Sequence, residues 1–352
     1  MKYLALLIFS LLILAAACGG SATPAPHIYY HASEISLPED EGPHDSGIEW
    51  WYFNGLLTDD QGNEYSYHYV TFKSESVGTA VPHLLQASLG DHTAGKHLTG
   101  EGVLLGTLNS DATSVDVSVN GWEMKGVSDG VYSLEFNLDE YFLDLKATST
   151  RPPVLHQDTG LVNLGPAGDT FYYSRTRLDM TGSITVNGEQ RPVTGLTWMD
   201  HQWGDVMGQR VGWDWASLQL DDGSDLMAVL VWDPSDRTPF AGYGTLVSPD
   251  GSSLTLAQAD ISLTSHDIWT SPSTGIQYPS GWTLKVPSLD LSLELEPVLV
   301  NAEFANSKFT PAAYWEGEVR VTGTSREHSI GGRGFVELVG YDPKQLEPAP
   351  AP

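Results

Sequence analysis

The chain has 352 residues, enough for two domains and a sizeable core. Lysine and arginine number 17 against 45 aspartate and glutamate residues, and the formal net charge of -28 excludes long-range attraction to nucleic acid phosphates or anionic lipids. Only 18% of the residues are charged and 36 are glycine, a composition that favours a β-rich fold with tight turns over helices or disorder.

The N-terminus carries the pattern of an export signal. A basic Lys2 precedes an apolar run over residues 4–17, and Cys18 follows as the only cysteine of the chain. This resembles a bacterial lipoprotein signal with its lipid-accepting cysteine; an ordinary signal peptide is the alternative. We predict a signal peptide over 1–17, lipid attachment at Cys18 and a flexible tether over 18–27. The protein would then be an exported cell-envelope lipoprotein, anchored to a membrane on its extracytoplasmic side.

Alternating aromatic residues predict the first strands. Residues 48–57 alternate, a turn follows at 59–63, and residues 65–72 alternate again, which is a hairpin signal. In the first run the period of two puts one set of side chains on one face and another set on the opposite face. The two sets are Trp50, Tyr52 and Asn54 on one side, and Glu49, Trp51 and Phe53 on the other.

Short runs of the same kind continue along the chain. They are bounded by Gly, Asp, Asn or Ser, and no stretch of twelve residues shows a helical period. The segment Gly126 to Gly130 fits the G-x-S-x-G pattern of a nucleophile elbow, but an alternating strand follows it where that motif needs a helix. We therefore interpret it as a hairpin turn.

A weak internal repeat suggests that one unit occurs twice. A shift of 162 residues superposes Trp51 on Trp213 and Phe53 on Trp215, and both copies end in an acidic turn. Tandem copies of one antiparallel barrel would explain both the repeat and the length. Eight strands close into a barrel wide enough for one small ligand.

Several motifs occur in an order that resembles a known family. They are Pro43-His44, Glu49 to Gly55, Pro152 to His156, Tyr172 to Leu178, Trp198 to Gly204 and Gly212 to Trp215. Together they resemble the AttH and carotenoid 1,2-hydratase (hydroxyneurosporene synthase, CrtC-like) superfamily over about residues 27–342, and within it the exported branch named predicted secreted hydrolases. The resemblance implies an all-β fold of two tandem lipocalin-like (calycin) barrels. We predict barrels over 28–204 and 205–343 and a Pro-rich tail over 344–352.

The segment from Trp198 to Trp215 carries the predicted chemistry. A carboxyl group desolvated between Trp198 and Trp203 would have a raised pKa and could protonate an alkene, while indole faces stabilise the resulting cation. The resemblance to the hydratases assigns a catalytic His-x-Trp pair to His201 and Trp203, with Asp200 or Asp214 as the acid. In the alternative interpretation, Asp200 and His201 form a buried hydrogen-bonded pair that holds the strand joining the barrels, and the tryptophans fill the core.

A second group of residues is predicted at a barrel mouth. Glu49 lies among aromatic residues and needs a partner, and His44 is the nearest candidate. The pair could serve as an acid and base, orient a ligand, or form a structural ion pair. Trp213 and Trp215 lie on the same face of their strand. The predicted ligand-binding set is His44, Glu49, Trp50, Trp51, Tyr52, Asn54, Trp198, Trp203, Trp213 and Trp215.

These observations favour a protein that binds an apolar, isoprenoid or lipid-like ligand. Our first interpretation is an envelope carrier, with an ABC-type transporter as a partner. The alternative is a cofactor-free hydro-lyase or cyclase that acts on an isoprenoid double bond, like carotenoid 1,2-hydratase. A secreted hydrolase of unknown substrate is a third candidate. The sequence has no H-E-x-x-H motif, no EF-hand loop and no cysteine pair, so we predict no metal site and no cofactor.

Overall fold

The computed structural model describes residues 35–76, 80–107, 112–205, 211–305, 307–310 and 312–346. The predicted signal peptide, Cys18 and the tether lie outside these ranges, as does most of the predicted Pro-rich tail. Every helix in the described residues is a 3₁₀ turn of three or four residues. None of them has the length and apolar character needed to cross a membrane. The remaining regular structure is β-strand, which confirms the all-β prediction.

The first sheet contains twelve described strands, all paired antiparallel. They are β1 (Ile48–Asp59), β2 (Glu64–Ser74), β3 (Ala80–Asp91), β4 (Lys96–Thr107), β5 (Asp116–Val119), β6 (Trp122–Ser128), β7 (Val131–Leu138), β8 (Tyr141–Ser149), β9 (Val154–Leu155), β10 (Leu161–Asn163), β11 (Asp169–Val186) and β12 (Glu189–Gly204). Their order is β4-β3-β2-β1-β12-β11-β8-β7-β6-β5, and β9 and β10 also pair with β11. The end strands β4 and β5 approach each other, so the sheet forms a near-closed barrel.

The second sheet contains ten described strands and forms a half-barrel. They are β13 (Gly212–Leu220), β14 (Asp225–Trp232), β15 (Pro239–Val247), β16 (Ser253–Ala257), β17 (Ser262–Thr270), β18 (Gln277–Val286), β19 (Leu291–Pro297), β20 (Glu303–Phe304), β21 (Tyr314–Ser325) and β22 (His328–Val339). Their order is β16-β15-β14-β13-β22-β21-β19-β18-β17, with β20 paired to β21.

The two sheets repeat one topology. In each, the first strand pairs with the second strand and with the last one, as β1 does with β2 and β12 and as β13 does with β14 and β22. The residue alignment predicted for the repeat is nevertheless wrong by one position. Trp51 points into the core of the first barrel. Trp213 instead lies on the face of its strand that packs between the two sheets. Side chains alternate along a strand, so a shift by one residue exchanges the faces.

Burial patterns show which strands lie between two packed layers. In β8, buried and exposed residues alternate almost strictly, because one face meets the barrel core and the other meets solvent. In β1, by contrast, most residues on both faces are buried. One face of β1 lines the core of the first barrel, and the other packs against the second sheet. A third apolar cluster, separate from the two barrel cores, therefore fills the space between the sheets.

Charged residues join the two sheets. Asp225 of β14 is fully buried and accepts hydrogen bonds from Arg151 at 2.8 Å and from Arg177 at 2.6 Å, both in the first half of the chain. Arg333 of β22 donates to Glu64 of β2 at 2.7 Å. These contacts hold the two sheets in one arrangement. The side chains that line the space between them are thereby fixed relative to each other.

The G-x-S-x-G segment is a hairpin turn, as interpreted from the sequence. Ser128 ends β6, Val131 begins β7, and the two strands pair antiparallel. Gly130 has a φ of 64°, in the left-handed region that glycine adopts without strain. The segment therefore lacks the helix that a nucleophile elbow needs.

Candidate active site between the two sheets

Strand β12 separates Asp200 from His201. The pairing of β12 with β1 aligns Tyr52 with Asp200 and Trp51 with His201, so the two pairs point to opposite faces of the first sheet. Asp200 faces the second sheet, and His201 faces the interior of the first barrel. They form no pair with each other, either catalytic or structural. Both interpretations that coupled them are wrong, because adjacent residues of a strand cannot share a face.

Asp200 is held by three uncharged donors. Ser174 Oγ donates to Oδ1 at 2.5 Å, Trp198 Nε1 donates to Oδ1 at 2.7 Å, and the Tyr172 hydroxyl donates to Oδ2 at 2.8 Å. Burial raises the pKa of Asp200 to about 6, although these hydrogen bonds oppose the shift. The described residues place no lysine or arginine on this carboxyl group. Trp203, which was predicted on its other side, lies on the opposite face of the strand.

A hydrogen-bonded chain fixes the position of Asp200. Ser174, which donates to the carboxylate, also contacts His156 Nε2 at 2.7 Å. The other ring nitrogen of His156 lies 2.8 Å from Thr245 Oγ1 of the second sheet. Burial lowers the pKa of His156 to about 3, so the ring is neutral near pH 7. A series of hydrogen-bonded, uncharged groups thus connects the second sheet to Asp200.

Glu316 is the acidic residue that the second sheet contributes. It lies on β21, is 3% exposed, and accepts a hydrogen bond from the Tyr52 hydroxyl of β1. Its Oε2 atom lies 3.1 Å from Nδ1 of His68. Burial raises the pKa of Glu316 well above its ordinary value, and Glu337 raises it further; burial also lowers the pKa of His68 to about 3. The shifts favour the neutral form of each group, the protonated carboxyl of Glu316 and the uncharged imidazole of His68.

Glu337 lies directly beside Glu316. The two residues are cross-strand partners on β21 and β22. Glu337 is partly exposed, and Trp213 Nε1 donates to its Oε2 atom at 2.8 Å. Burial raises the pKa of Glu337 to about 7, and the charge of Asp200 acts in the same direction. Three carboxyl groups from both sheets thus share one region, and the charge of Asp200 disfavours ionisation of both glutamates.

Aromatic side chains surround these acids. Buried members of the cluster include Tyr172, Trp198, Trp215 and Tyr243, and the Trp215 indole donates to the Tyr172 hydroxyl at 3.2 Å. A partly exposed rim completes the cluster with Trp50, Phe72 and Trp213. We call Asp200, Glu316 and Glu337, together with these aromatic residues, the inter-sheet site.

A second cluster lies inside the first barrel. His44 Nδ1 and His201 Nε2 lie 2.7 and 2.8 Å from the same Oε1 atom of Glu49, and Lys73 Nζ lies 3.3 Å from its Oε2 atom. With Asp40, which contacts His44 at 3.3 Å, these residues form the barrel cluster. The predicted pairing of His44 with Glu49 is confirmed. The donor atoms of His44, Glu49 and His201 lie within 4.8 Å of one another, so these three residues could hold a metal ion.

The charge state of the barrel cluster differs from that of the inter-sheet site. Burial alone would raise the pKa of Glu49, but hydrogen bonds and charges from His201 and His44 lower it to about 2. The pKa of His44 is raised; burial opposes this shift, and contacts with Asp40 and Glu49 cause it. Glu49 is therefore ionised at every pH near neutrality and is no proton donor.

Asp214 belongs to neither group. It lies on the inner face of the second sheet, where it accepts hydrogen bonds from Tyr341 at 2.8 Å and from Trp232 at 3.3 Å. Burial raises its pKa to about 6. The cavity beside it measures about 40 Å³, which is space for very few water molecules and not for an isoprenoid. The geometry does not bring Asp214 together with Asp200 or His201.

The predicted ligand-binding set is thus divided between two places. The inter-sheet site receives Trp50, Tyr52, Asn54, Trp198, Trp213 and Trp215, whereas His44, Glu49, Trp51 and Trp203 lie in the first barrel. No sequence motif identified Glu316 or Glu337, which lie on strands distant in sequence from Asp200. The available sequence signal was a glutamate directly after two aromatic residues, in the order Tyr314-Trp315-Glu316.

A model of one protein family matches this chain over residues 29–341, and it is described as AttH-like. The chain belongs to the AttH-like family. The match includes both sheets and confirms the family resemblance carried by the sequence motifs. The resemblance to AttH proteins also extends to solved structures.

The crystal structure of an AttH protein from Nitrosomonas europaea has a TM-score of 0.79 and 27% identity, and the match covers 90% of this chain and 99% of that one. Kievitone hydratase from Nectria haematococca has a TM-score of 0.71 at 20% identity, covering 87% and 93%, a likeness that shows the shared fold. Among curated proteins, dehydratase asqC of Emericella nidulans is 27% identical over 231 residues, 62% of this chain. The match spans 65% of that relative's length.

Proposed function

We propose that this AttH-like protein is a hydro-lyase that adds water to an isoprenoid double bond, or removes it, at the inter-sheet site. The observation that carries the proposal is a set of three buried or partly buried carboxyl groups with raised pKa values and no cationic partner among the described residues. The relatives named as a dehydratase and a hydratase support the same reaction class. They favour the hydro-lyase alternative over a carrier.

The residues of the inter-sheet site suit the two halves of the reaction. In the hydration direction, Glu316 gives its proton to one alkene carbon, and the other carbon becomes a tertiary carbocation. Water adds to that carbon, and its extra proton passes to the carboxylate of Asp200. The sum is alkene plus water to alcohol, with one proton moved between two carboxyl groups. Dehydration is the same sequence reversed.

The surroundings would lower the energy of the cation. Indole and phenol rings attract a cation through their faces, by roughly 0.5–2 kcal/mol each in dry surroundings. Trp198 and Trp215 supply such rings beside Asp200. The ionised Asp200 adds a negative charge in a region of low dielectric constant, where its attraction to the cation is strongest. The pKa of Asp200, about 6, leaves this group mostly ionised near pH 7, whereas the raised pKa of Glu316 favours its protonated form.

The barrel cluster fits the proton-donor role less well. Its carboxylate has a pKa of about 2 and is held by two imidazoles and a lysine. It could not supply a proton to an alkene near neutral pH. We therefore assign the acid to Glu316, in place of the Asp200 or Asp214 predicted from the sequence.

The test is an isotope assay with matched variants. Wild type, Glu316→Gln and Asp200→Asn are incubated in ¹⁸O-labelled water with a panel of isoprenoid alkenes and the matching tertiary alcohols. Mass spectrometry then detects gain or loss of one water. We expect conversion by wild type and a loss of about 10²- to 10⁴-fold in each variant, the usual contribution of a general acid or base. Glu303→Gln is the control, because Glu303 is buried and bonded to Tyr278 away from the site.

Other outcomes would decide against the proposal. Equal conversion by all variants would place the chemistry elsewhere in the chain. Tight binding of an alkene without any conversion by wild type would return the protein to the carrier class. Lipid attachment at Cys18, location in the cell envelope and an ABC-type transporter as partner remain predictions from the sequence.

A further inference from the structure

The barrel cluster has the arrangement of a metal site. Glu49 of β1 and His201 of β12 are fully buried, and His44 precedes β1 with its side chain 22% exposed. Three potential ligands from separate segments thus converge, with one of them at the surface. The exposed edge of His44 provides a path by which an ion could enter.

Each ligand is oriented by a further hydrogen bond. His44 Nε2 lies 3.3 Å from Asp40, so its Nδ1 atom faces Glu49; His201 Nδ1 lies 3.3 Å from the Tyr173 hydroxyl, so its Nε2 atom faces Glu49. Metal-bound histidines almost always have such a partner on the second ring nitrogen. Aromatic rings fix the imidazole planes as well, since Trp203 stacks on His44 at 3.9 Å between ring centroids.

Lys73 defines which carboxylate oxygen is available. Its ammonium group lies 3.3 Å from Oε2 of Glu49, and the backbone N–H of His44 donates to the same oxygen at 2.9 Å and to Oε1 at the longer distance of 3.2 Å. Oε1 is the oxygen that faces both imidazoles. The two carboxylates, Asp40 and Glu49, lie close enough to offset the added positive charge of an ion beside the lysine.

Metal binding would require only a small increase in the distances between the ligand atoms. An ion with bonds of about 2.0–2.1 Å in tetrahedral geometry keeps its ligand atoms a little over 3 Å apart. The present separations from Glu49 Oε1 are 2.7 Å to His44 and 2.8 Å to His201. The side chains would therefore move apart by roughly 0.5 Å, within the reach of rotamer adjustment at the partly exposed His44.

We propose that His44, Glu49 and His201 bind one divalent transition-metal ion, with Zn²⁺ as the expected ion for two imidazoles and a carboxylate. The fourth position remains open to water or to a ligand atom. This site is independent of the proposed hydro-lyase function, because it lies on the opposite face of the first sheet from Asp200 and Glu316.

The test measures zinc binding to the full chain. Protein is dialysed against a chelator and then against buffer, and its affinity for Zn²⁺ is measured by calorimetry, with bound metal counted by mass spectrometry. We expect one zinc ion per chain. His44→Asn should weaken binding by more than the 10- to 100-fold that loss of an outer-shell partner causes. His266→Asn is the matched control, since His266 is an exposed histidine beside a glutamate in the second sheet.

Glu49→Gln is the second variant, and it should weaken binding to a similar degree if it folds. X-ray absorption at the zinc edge tests wild type alone, and it should show imidazole scattering from two histidines. Substoichiometric zinc in wild type, unchanged affinity in His44→Asn, or a spectrum without imidazole would each overturn the proposal.

Discussion

The barrel cluster and the inter-sheet site bury carboxyl groups to a similar extent and give them opposite properties. Glu49 is fully buried, yet two imidazoles keep it ionised with a pKa of about 2. Glu316 is 3% exposed, and burial together with the neighbouring Glu337 raises its pKa, although the hydrogen bond from Tyr52 opposes the shift. Burial costs a charge in both places, but only the barrel cluster supplies opposite charge. The charges of the neighbouring groups, rather than the depth of burial, decide which carboxyl group can donate a proton.

The largest expected difference is in stability. Glu49→Gln removes the carboxylate paired with buried Lys73 and leaves the ammonium group only the carbonyl oxygen of His44, which should cost about 3–5 kcal/mol of unfolding free energy. Glu316→Gln replaces a neutral acid by a neutral amide of the same shape and should cost less than about 1 kcal/mol. Denaturant unfolding at pH 7 measures both. Equal losses would show that the two carboxyl groups are in the same charge state.

The stabilisation by Glu49 should also depend on pH. Its pKa is lowered on folding from 4.5 to about 2. The stabilisation is therefore complete above about pH 4.5 and is lost as the pH falls towards 2. The difference between wild type and Glu49→Gln should shrink over that range.

Asp200 should show the opposite dependence on pH. Folding raises its pKa from 3.8 to about 6, so the folded protein keeps this proton to higher pH than the unfolded chain. The ionised group thus destabilises the fold above about pH 6, and the effect is absent below about pH 4. Relative to wild type, Asp200→Asn should gain about 3 kcal/mol between pH 4 and pH 8. A constant difference over that range would contradict the raised pKa.

A smaller effect is expected from the phenol that contacts Glu316. Tyr52→Phe removes that hydrogen bond and one partner of Asn54, which should cost about 1 kcal/mol. The lost bond favoured the carboxylate, so the pKa of Glu316 should rise further. Infrared spectroscopy can follow the C=O band of the protonated acid, which Glu316→Gln identifies by removing it. A band that disappears at lower pH in Tyr52→Phe than in wild type would argue against this role.

The smallest expected effect is that of a substitution in the partly exposed rim of the inter-sheet site. Trp213→Phe removes the hydrogen bond to Glu337 and should cost roughly 0.5–1 kcal/mol of stability. This bond lowers the pKa of Glu337, so any limb of the activity profile controlled by Glu337 should shift to higher pH. Trp269→Phe, at a partly exposed tryptophan of the second sheet, is the control and should leave the profile in place. An unshifted profile in Trp213→Phe would remove Glu337 from the site.

Sequence patterns predicted the structure best where a local rule applied. The alternation around Trp51 assigned the two faces of β1, and the need of Glu49 for a partner identified His44; both are confirmed. Prediction failed where neighbours in sequence were treated as neighbours in space. Asp200 and His201 are adjacent, but the pleat of the strand directs them into different compartments.

The sequence by itself determined the all-β fold, the repeated topology and the faces of the aromatic strands, because a period of two is a local property of the chain. Only the tertiary structure decided that Glu316 and Glu337 lie near enough to Asp200 for its charge to raise their pKa values. A polar face of a strand has the same sequence pattern whether water or a second sheet covers it. Packing of the two sheets buried Glu316 and part of Glu337 without supplying a cation, and that desolvation made them candidate acids.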